Sequence, residues 1–214
     1  MNVTRALPLN ALVVEQPIAH SPQPAYALNP QEWTDVECLK RIQLSKGTET
    51  AGLEVLFARH SGPLLKFLIA SSGSQDAEDL VHDAFLHLAA HADSYRGASA
   101  VRTWLFTIAL NLLRSRYRHQ AVKRKNVEGL EQAGAQKSSP LQPEQSALQA
   151  ERQRLVQRAI SELGVAEREA FLLYWYGELT HSEISNALNI SISAAKVRVH
   201  RAFKSLEHAL EDCR

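Results

Sequence analysis

The chain has 214 residues, of which 45% are hydrophobic and 22% charged, with a formal net charge of +1. That balance excludes a disordered tail and a multi-span membrane protein, and it leaves room for one large or two small domains. With charge so near neutral, any binding to nucleic acid must come from local concentration of basic residues.

The first 32 residues carry Pro8, Pro17, Pro22, Pro24 and Pro30 and read as a disordered N-terminal arm. Their one apolar patch, Ala11 to Val14, is too short and too broken by proline for a secretory signal, so a cytoplasmic protein is expected. Cys38 and Cys213 match no metal-ligand spacing and read as two reduced thiols.

Strand signals are nearly absent, and helical periodicity dominates from Trp33 to Leu210. The fold class is therefore all-α. A first helical domain is expected over residues 33–120. In "SQDAEDLVHDAFLHLAAH", Leu80, Ala84 and Leu88 share one face with Val81 and Phe85 beside them. Asp76, Glu78, Asp79 and Asp83 crowd the first turns, where the helix dipole favours negative charge. Asp79, Asp83, His87 and His91 recur every four residues, a spacing at which the two histidines could share a metal. A solvated or docking face accounts for the same residues, so no metal and no cofactor is expected. The helix "ASAVRTWLFTIALNLLRSRYRHQ" sets Trp104, Ile108 and Leu112 at i, i+4 spacing, widened by Leu105 and Leu113. Basic residues follow at Arg114, Arg116, Arg118, Lys123, Arg124 and Lys125 with no acid among them.

Residues 121–148 hold Gly129, Gly134, Pro140 and Pro143 with few large apolar side chains, which is the composition of a flexible linker. A second helical domain is expected over 149–214. Its helix "GVAEREAFLLYWYGEL" offers Phe171, Leu172, Tyr174 and Trp175 as core partners, with Gly177 as C-cap. Thr180 to Glu183 is a capping box. The short helix that follows turns its Ile184, Ala187 and Leu188 inward and ends at Asn189, a residue that tolerates the left-handed conformation. Ser191 is placed to cap a longer helix in which Ala195, Val199, Ala202 and Leu206 form one buried stripe. Its other side carries Ser193, Lys196, Val197, Arg198, His200, Arg201 and Lys204. A capped helix, a tight turn and a longer helix with an exposed basic side make a helix-turn-helix. A plain solvated face would carry the same charges, so this motif alone does not decide between DNA binding and a helical hairpin.

The segments "DAEDLVHDAF", "YRGASAVRTWLFTIALNLLRSRYR" and "LTHSEISNALNISISAAKVRVHRA", in this order and separation, resemble a bacterial extracytoplasmic-function (ECF) sigma factor. The resemblance covers about residues 34–211 and implies a transcription initiation factor with sigma-two and sigma-four domains. It implies docking of Asp76, Glu78, Asp79 and Asp83 on the β′ coiled coil of core RNA polymerase, with the β flap as a second contact. It implies recognition and opening of the −10 element by Tyr95, Arg96, Gly97, Ala98, Ser99, Arg102, Asn111, Arg114 and Arg118. The seven exposed residues from Ser193 to Lys204 are then readers of the −35 element. Promoter DNA and an anti-sigma factor are the further partners implied, with no membrane insertion. Ser193, Ala194 and Ala195 stand where the family usually shows Gly-Thr-Val, which leaves the promoter sequence open.

The alternative is a two-domain helix-turn-helix regulator that does not serve polymerase as a sigma subunit. Such a regulator needs neither the acidic helix nor the Asn111 helix. An enzyme is not expected, because no nucleophile–base order, phosphate-binding glycine loop or closed metal quartet is present.

Overall fold

The computed structural model describes residues 29–45, 50–73, 76–126 and 147–211. The arm up to residue 28, the linker between 127 and 146 and Cys213 lie outside the described residues. Among the described residues the secondary structure is helical: α1 (Asp35–Ser45), α2 (Ala51–Ser72), α3 (Ala77–Ala90), α4 (Val101–Asn126), α5 (Ala147–Glu162), α6 (Val165–Trp175), α7 (His181–Leu188) and α8 (Ile192–Glu211). Single 3₁₀ turns at Pro30–Glu32 and Ala92–Ser94 complete it. Helix α4 runs six residues past the expected domain end at Gln120, and α5 begins two residues before the expected start at Gln149. No helix among the described residues is long and apolar enough to cross a membrane.

Helix α1 begins on a capping box that sequence reading passed over. The Glu37 amide donates to Thr34 Oγ1 at 3.3 Å, and the Thr34 amide donates back to Glu37 Oε2 at 2.7 Å. Asp35 then ties α1 to α2. Its carboxylate meets His60 Nε2 at 2.6 Å and Arg59 Nη1 at 2.9 Å. The His60 hydrogen bond, helped by Arg59 and opposed by burial, holds the Asp35 carboxyl below its usual range. Arg41 lies over the Trp33 ring at 3.7 Å, which closes the N-terminal edge of the domain.

The core of the first domain is built from Leu39, Leu56, Leu64, Phe67, Leu80, Phe85 and Leu88, with Phe106 meeting Phe67 edge-on at 5.4 Å. All five apolar residues expected on the inner face of α3 are buried. Helix α4 departs from the single expected stripe. Trp104 and Leu112 are only half-buried, whereas Phe106, Ala109 and Leu110 are fully buried. The reason is that α4 packs against α2 and α3 on one side and against α7 on the other. The two domains are therefore in contact, and their buried residues form one continuous apolar cluster.

The second domain buries Ile160, Leu163, Ala170, Phe171, Leu172, Leu173, Ile184 and Leu188 against the α8 stripe. Tyr174 and Trp175 are not core as expected: they are 37% and 57% exposed. Helix α6 is buried through residues 170–173, and these two rings lie beyond that stretch, edge-on to Phe203 of α8. Gly177 is not the C-cap either. Tyr176 caps α6, and the positive φ falls on Glu178 at 51°. Gly177 instead permits a close approach, since a Cβ there would lie 2.4 Å from the Leu173 carbonyl oxygen and 3.2 Å from the Phe106 ring.

A similar approach joins α1 to α2. A Cβ on Gly52 would stand 2.6 Å from the Cys38 carbonyl oxygen, which is backbone and cannot swing away. Gly52→Ala should therefore cost about 1–3 kcal/mol through overpacking. The check is a urea titration, in which the midpoint falls and the slope stays constant.

Candidate nucleic-acid and protein interfaces

Helix α3 presents Glu78, Asp79, His82, Asp83, Leu86 and His87 to solvent. No ion pair engages Glu78, Asp79 or Asp83 among the described residues, so their field is directed outward. Asp76, the fourth residue expected at this face, has a partner within the chain. It accepts from Arg116 Nη2 at 2.7 Å, a contact that fastens the entry of α3 to α4. Sequence reading missed Leu86, which stands 65% exposed among the acids. It borders an apolar groove of about 490 Å³ lined by Leu53, Phe57, His82 and Phe85. The exposed face of α3 is thus acidic with an apolar centre. His87 and His91 stack ring on ring with centroids 4.0 Å apart, and His91 Nδ1 lies 3.0 Å from the His87 carbonyl oxygen. No group of three metal-ligating side chains occurs among the described residues.

The segment from Tyr95 to Ala100 is a closed loop. The Tyr95 hydroxyl donates to the Ser99 carbonyl, and its ring leans on Trp104 at 5.4 Å. Gly97 has φ of +74°, which glycine adopts without strain. Arg96, Gly97 and Ala98 are left exposed at the tip, with Ser99 half-buried. On α4, Asn111, Arg114 and Arg118 follow i, i+3, i+7 and so share one face. Asn111 and Arg118 are exposed. Arg114 is held by Glu169 of α6, with Nε at 2.9 Å from Oε1 and Nη2 at 2.5 Å from Oε2. Arg102, at the start of the same helix, donates to Glu178 Oε2 at 2.8 Å and to the Tyr176 carbonyl at 3.1 Å.

The helix-turn-helix has the expected local chemistry. Thr180 and Glu183 form a reciprocal capping box, Asn189 is left-handed at φ 54° and ψ 52°, and Ser191 Oγ accepts from the Ala194 amide at 3.1 Å. The stripe Ala195, Val199, Ala202 and Leu206 is buried, while Ala187 is only half-buried. Ser193, Lys196, Val197, His200, Arg201 and Lys204 are exposed, and Arg198 is half-buried beside the stripe. The helix therefore offers a continuous face of mixed polar, basic and apolar groups, of the kind that reads a major groove.

Two family descriptions match this arrangement: Sigma-70 region 2 over residues 56–122 and Sigma-70 region 4 over residues 153–206. The ECF RNA polymerase sigma factor EcfG of Rhodopseudomonas palustris is 34% identical over 149 residues, covering 69% of this chain and 78% of that relative. The chain belongs to the ECF sigma-factor family. Region 2 thus takes in most of α2 with α3 and α4, and region 4 takes in most of α5 with α6 to α8. The ferric citrate uptake sigma factor FecI of Escherichia coli K12 is 32% identical over 168 residues, 77% of this chain and 94% of its own length. Among solved structures, the sigma factor RpoE of Bartonella quintana, crystallised with the anti-sigma factor NepR, superimposes with a TM-score of 0.63. It is 26% identical, and the match covers 78% of this sigma factor and all of that chain. CnrH, solved with the cytosolic domain of CnrY, shares the fold at 22% identity and a TM-score of 0.59.

Glu183 does more than cap region 4 of this sigma factor. Its Oε1 also accepts from Thr103 Oγ1 on α4, which places region 2 in contact with the motif. Burial raises the Glu183 pKa, but hydrogen bonds from Thr103 and Thr180 and the charge of Arg102 outweigh it and hold the carboxyl below its usual 4.5. A depressed folded-state pKa contributes stability that is present above the unfolded value and is lost as pH falls through the folded one. Glu183→Ala should thus lower the thermal midpoint at neutral pH, and the deficit should narrow as pH drops below 4.5. Thermal unfolding by circular dichroism across that range checks it.

Proposed function

We propose that this ECF sigma factor docks on core RNA polymerase through the exposed face of α3 and reads the promoter with α4 and α8. The observation that carries the reading is the outward, unpaired set Glu78, Asp79 and Asp83 around the exposed Leu86. A helix that only needed a stable start would gain from acids in its first turn, but Asp83 lies beyond that turn, and Leu86 continues into the apolar groove lined by Phe57 and Phe85. An acidic rim around an apolar centre suits a basic, partly apolar helical partner such as the β′ coiled coil. The β flap is the second polymerase contact in this reading.

The −10 element falls to the Tyr95–Ala100 loop with Arg102, Asn111, Arg114 and Arg118, and the −35 element to Ser193, Lys196, Val197, Arg198, His200, Arg201 and Lys204. The factor acts in the cytoplasm, where polymerase is, and catalyses nothing itself. An anti-sigma factor is its regulator, as NepR accompanies the RpoE of Bartonella quintana.

Run-off transcription with core polymerase, with and without the factor, on fragments of its own genome tests the reading. Start sites that depend on the factor are the expected result; none appearing would leave a plain DNA-binding regulator. Reversing charge with Asp79→Lys and Asp83→Lys together should weaken core binding at least about tenfold, a change of about 1.4 kcal/mol. Retention of full affinity in a pull-down at moderate salt would remove α3 from the interface. On α8, Lys204→Ala should weaken binding to all duplexes alike and lower the salt slope by about one. Fluorescence anisotropy of the factor on labelled duplex across a salt series reads that slope.

A further inference from the structure

Helices α2 and α3 leave between them an apolar groove of about 490 Å³ that the core does not fill. Its α2 wall runs from Thr50 to Ala58, about 12 Å at about 1.5 Å per residue. Phe57 and Phe85 line it with ring centroids 4.9 Å apart, and Leu86 stands exposed at the rim. The polar side chains of the lining are already engaged. Thr50 Oγ1 donates to Glu54 Oε1 at 2.7 Å, and His82 Nδ1 lies 2.9 Å from the Glu78 carbonyl oxygen. What the groove offers a partner is therefore apolar surface.

The N-terminal arm arrives beside this groove. Asn29 and Pro30 line an adjoining groove of about 550 Å³, and Glu54 and Ala58 belong to both linings. The Asn29 carbonyl accepts from the Glu32 amide at 2.8 Å, which fixes the point where the arm joins the helices. The arm's one apolar patch is Ala11 to Val14. Val13 and Val14 are β-branched and favour extended backbone, in which Leu12 and Val14 fall on one side. Four extended residues span about 13 Å, close to the length of the α2 wall. The segment from Glu15 to Leu28 reaches about 45 Å at full extension, ample for an adjoining groove. Charge agrees with this placement. Arg5, the one Arg or Lys before Asn29, lies on the far side of the patch from Asn29, as the α3 acids lie beyond Leu86.

We infer that this groove seats the chain's own N-terminal arm, with Leu12 and Val14 packed against Phe57 and Leu86. Tethering holds the patch at roughly millimolar effective concentration, so about millimolar affinity seats it half the time. The seated arm covers Leu86, and polymerase must displace it to reach that side chain. This consequence rests on the reading that α3 docks on core polymerase, whereas the seat itself does not. Core affinity falls with the uncovered fraction, about twofold for an arm seated half the time.

The test uses the full chain, with Cys213→Ser and the buried Cys38 left in place. Asn10→Cys, next to the patch, is paired with Leu86→Cys at the rim, or with Glu207→Cys, an exposed position in region 4, as the control. Under mild oxidation of dilute protein, the first pair should close an intramolecular disulfide at least about tenfold faster than the control. Adding Leu12→Asp/Val14→Asp should bring the first pair down to the control rate. Both substitutions precede the helices, so the fold is not at stake. Equal rates for the two pairs overturn the seat. So does a disulfide that joins two chains, which would make the groove a contact between copies. A fast rate that survives the two aspartates overturns the patch as occupant. With Leu86 intact, Leu12→Asp/Val14→Asp should also bind core about twofold tighter in a pull-down, and unchanged affinity overturns the competition. The docking reading fails separately: Asp79→Lys/Asp83→Lys would then leave core affinity unchanged while the disulfide still forms.

Discussion

The middle of α4 is buried on more than one side, and the arrangement of the whole molecule depends on it. Leu105, Phe106, Ala109 and Leu110 have no exposed surface. A helix that served only region 2 would show one apolar stripe and one wet face. Here the apolar girdle lets the first three helices pack from one direction and α7 from the other. At about 1.5–3 kcal/mol for each large apolar side chain fully buried, this girdle outweighs the ion pairs at its ends. Exposed pairs are generally worth about 0–1 kcal/mol. Apolar burial thus holds the regions near each other, and the arginine–carboxylate contacts fix which surfaces meet.

What was legible in the sequence was what is local. The Thr180–Glu183 box, the left-handed Asn189, the Ser191 cap and the α8 stripe each involve residues within a turn or a helix of one another, and all appear as read. The same rule reaches Thr34 and Glu37, whose spacing is identical and whose box is just as local. What was not legible depends on the other domain. Gly177 follows α6 as a C-capping glycine would, yet its need for a missing side chain comes partly from Phe106, 71 positions earlier in the sequence. The partners of Arg102 and Arg114 were beyond reach for the same reason. Periodicity reports which face of a helix is apolar, and it carries no information on which distant acid a basic residue meets.

The charge pattern follows a similar logic. A net charge of +1 looks uninformative for a protein that must bind both DNA and polymerase. It is the sum of two unlike surfaces, acids on α3 and bases on α4 and α8, carried on rigid helices. Separate patches of opposite sign let one small chain present an acidic face to a protein and a basic face to nucleic acid. A uniform basic surface would bind DNA but would repel a basic docking helix.

Glu183 serves the local fold of the motif and its contact with region 2 through different oxygens. One of its oxygens accepts from the Thr180 amide and hydroxyl, and the other accepts from Thr103 of region 2. The first set is closed within the four residues from Thr180 to Glu183 and does not depend on region 2. The N-terminal amides of α7 therefore find their partners locally, without help from region 2. At the same joint Arg102 Nε is buried without an acceptor, while the guanidinium keeps its bonds to Glu178 and the Tyr176 carbonyl. The joint thus combines these polar contacts with apolar packing of α2 and α4 against α5, α6 and α7, and the apolar part contributes the larger share.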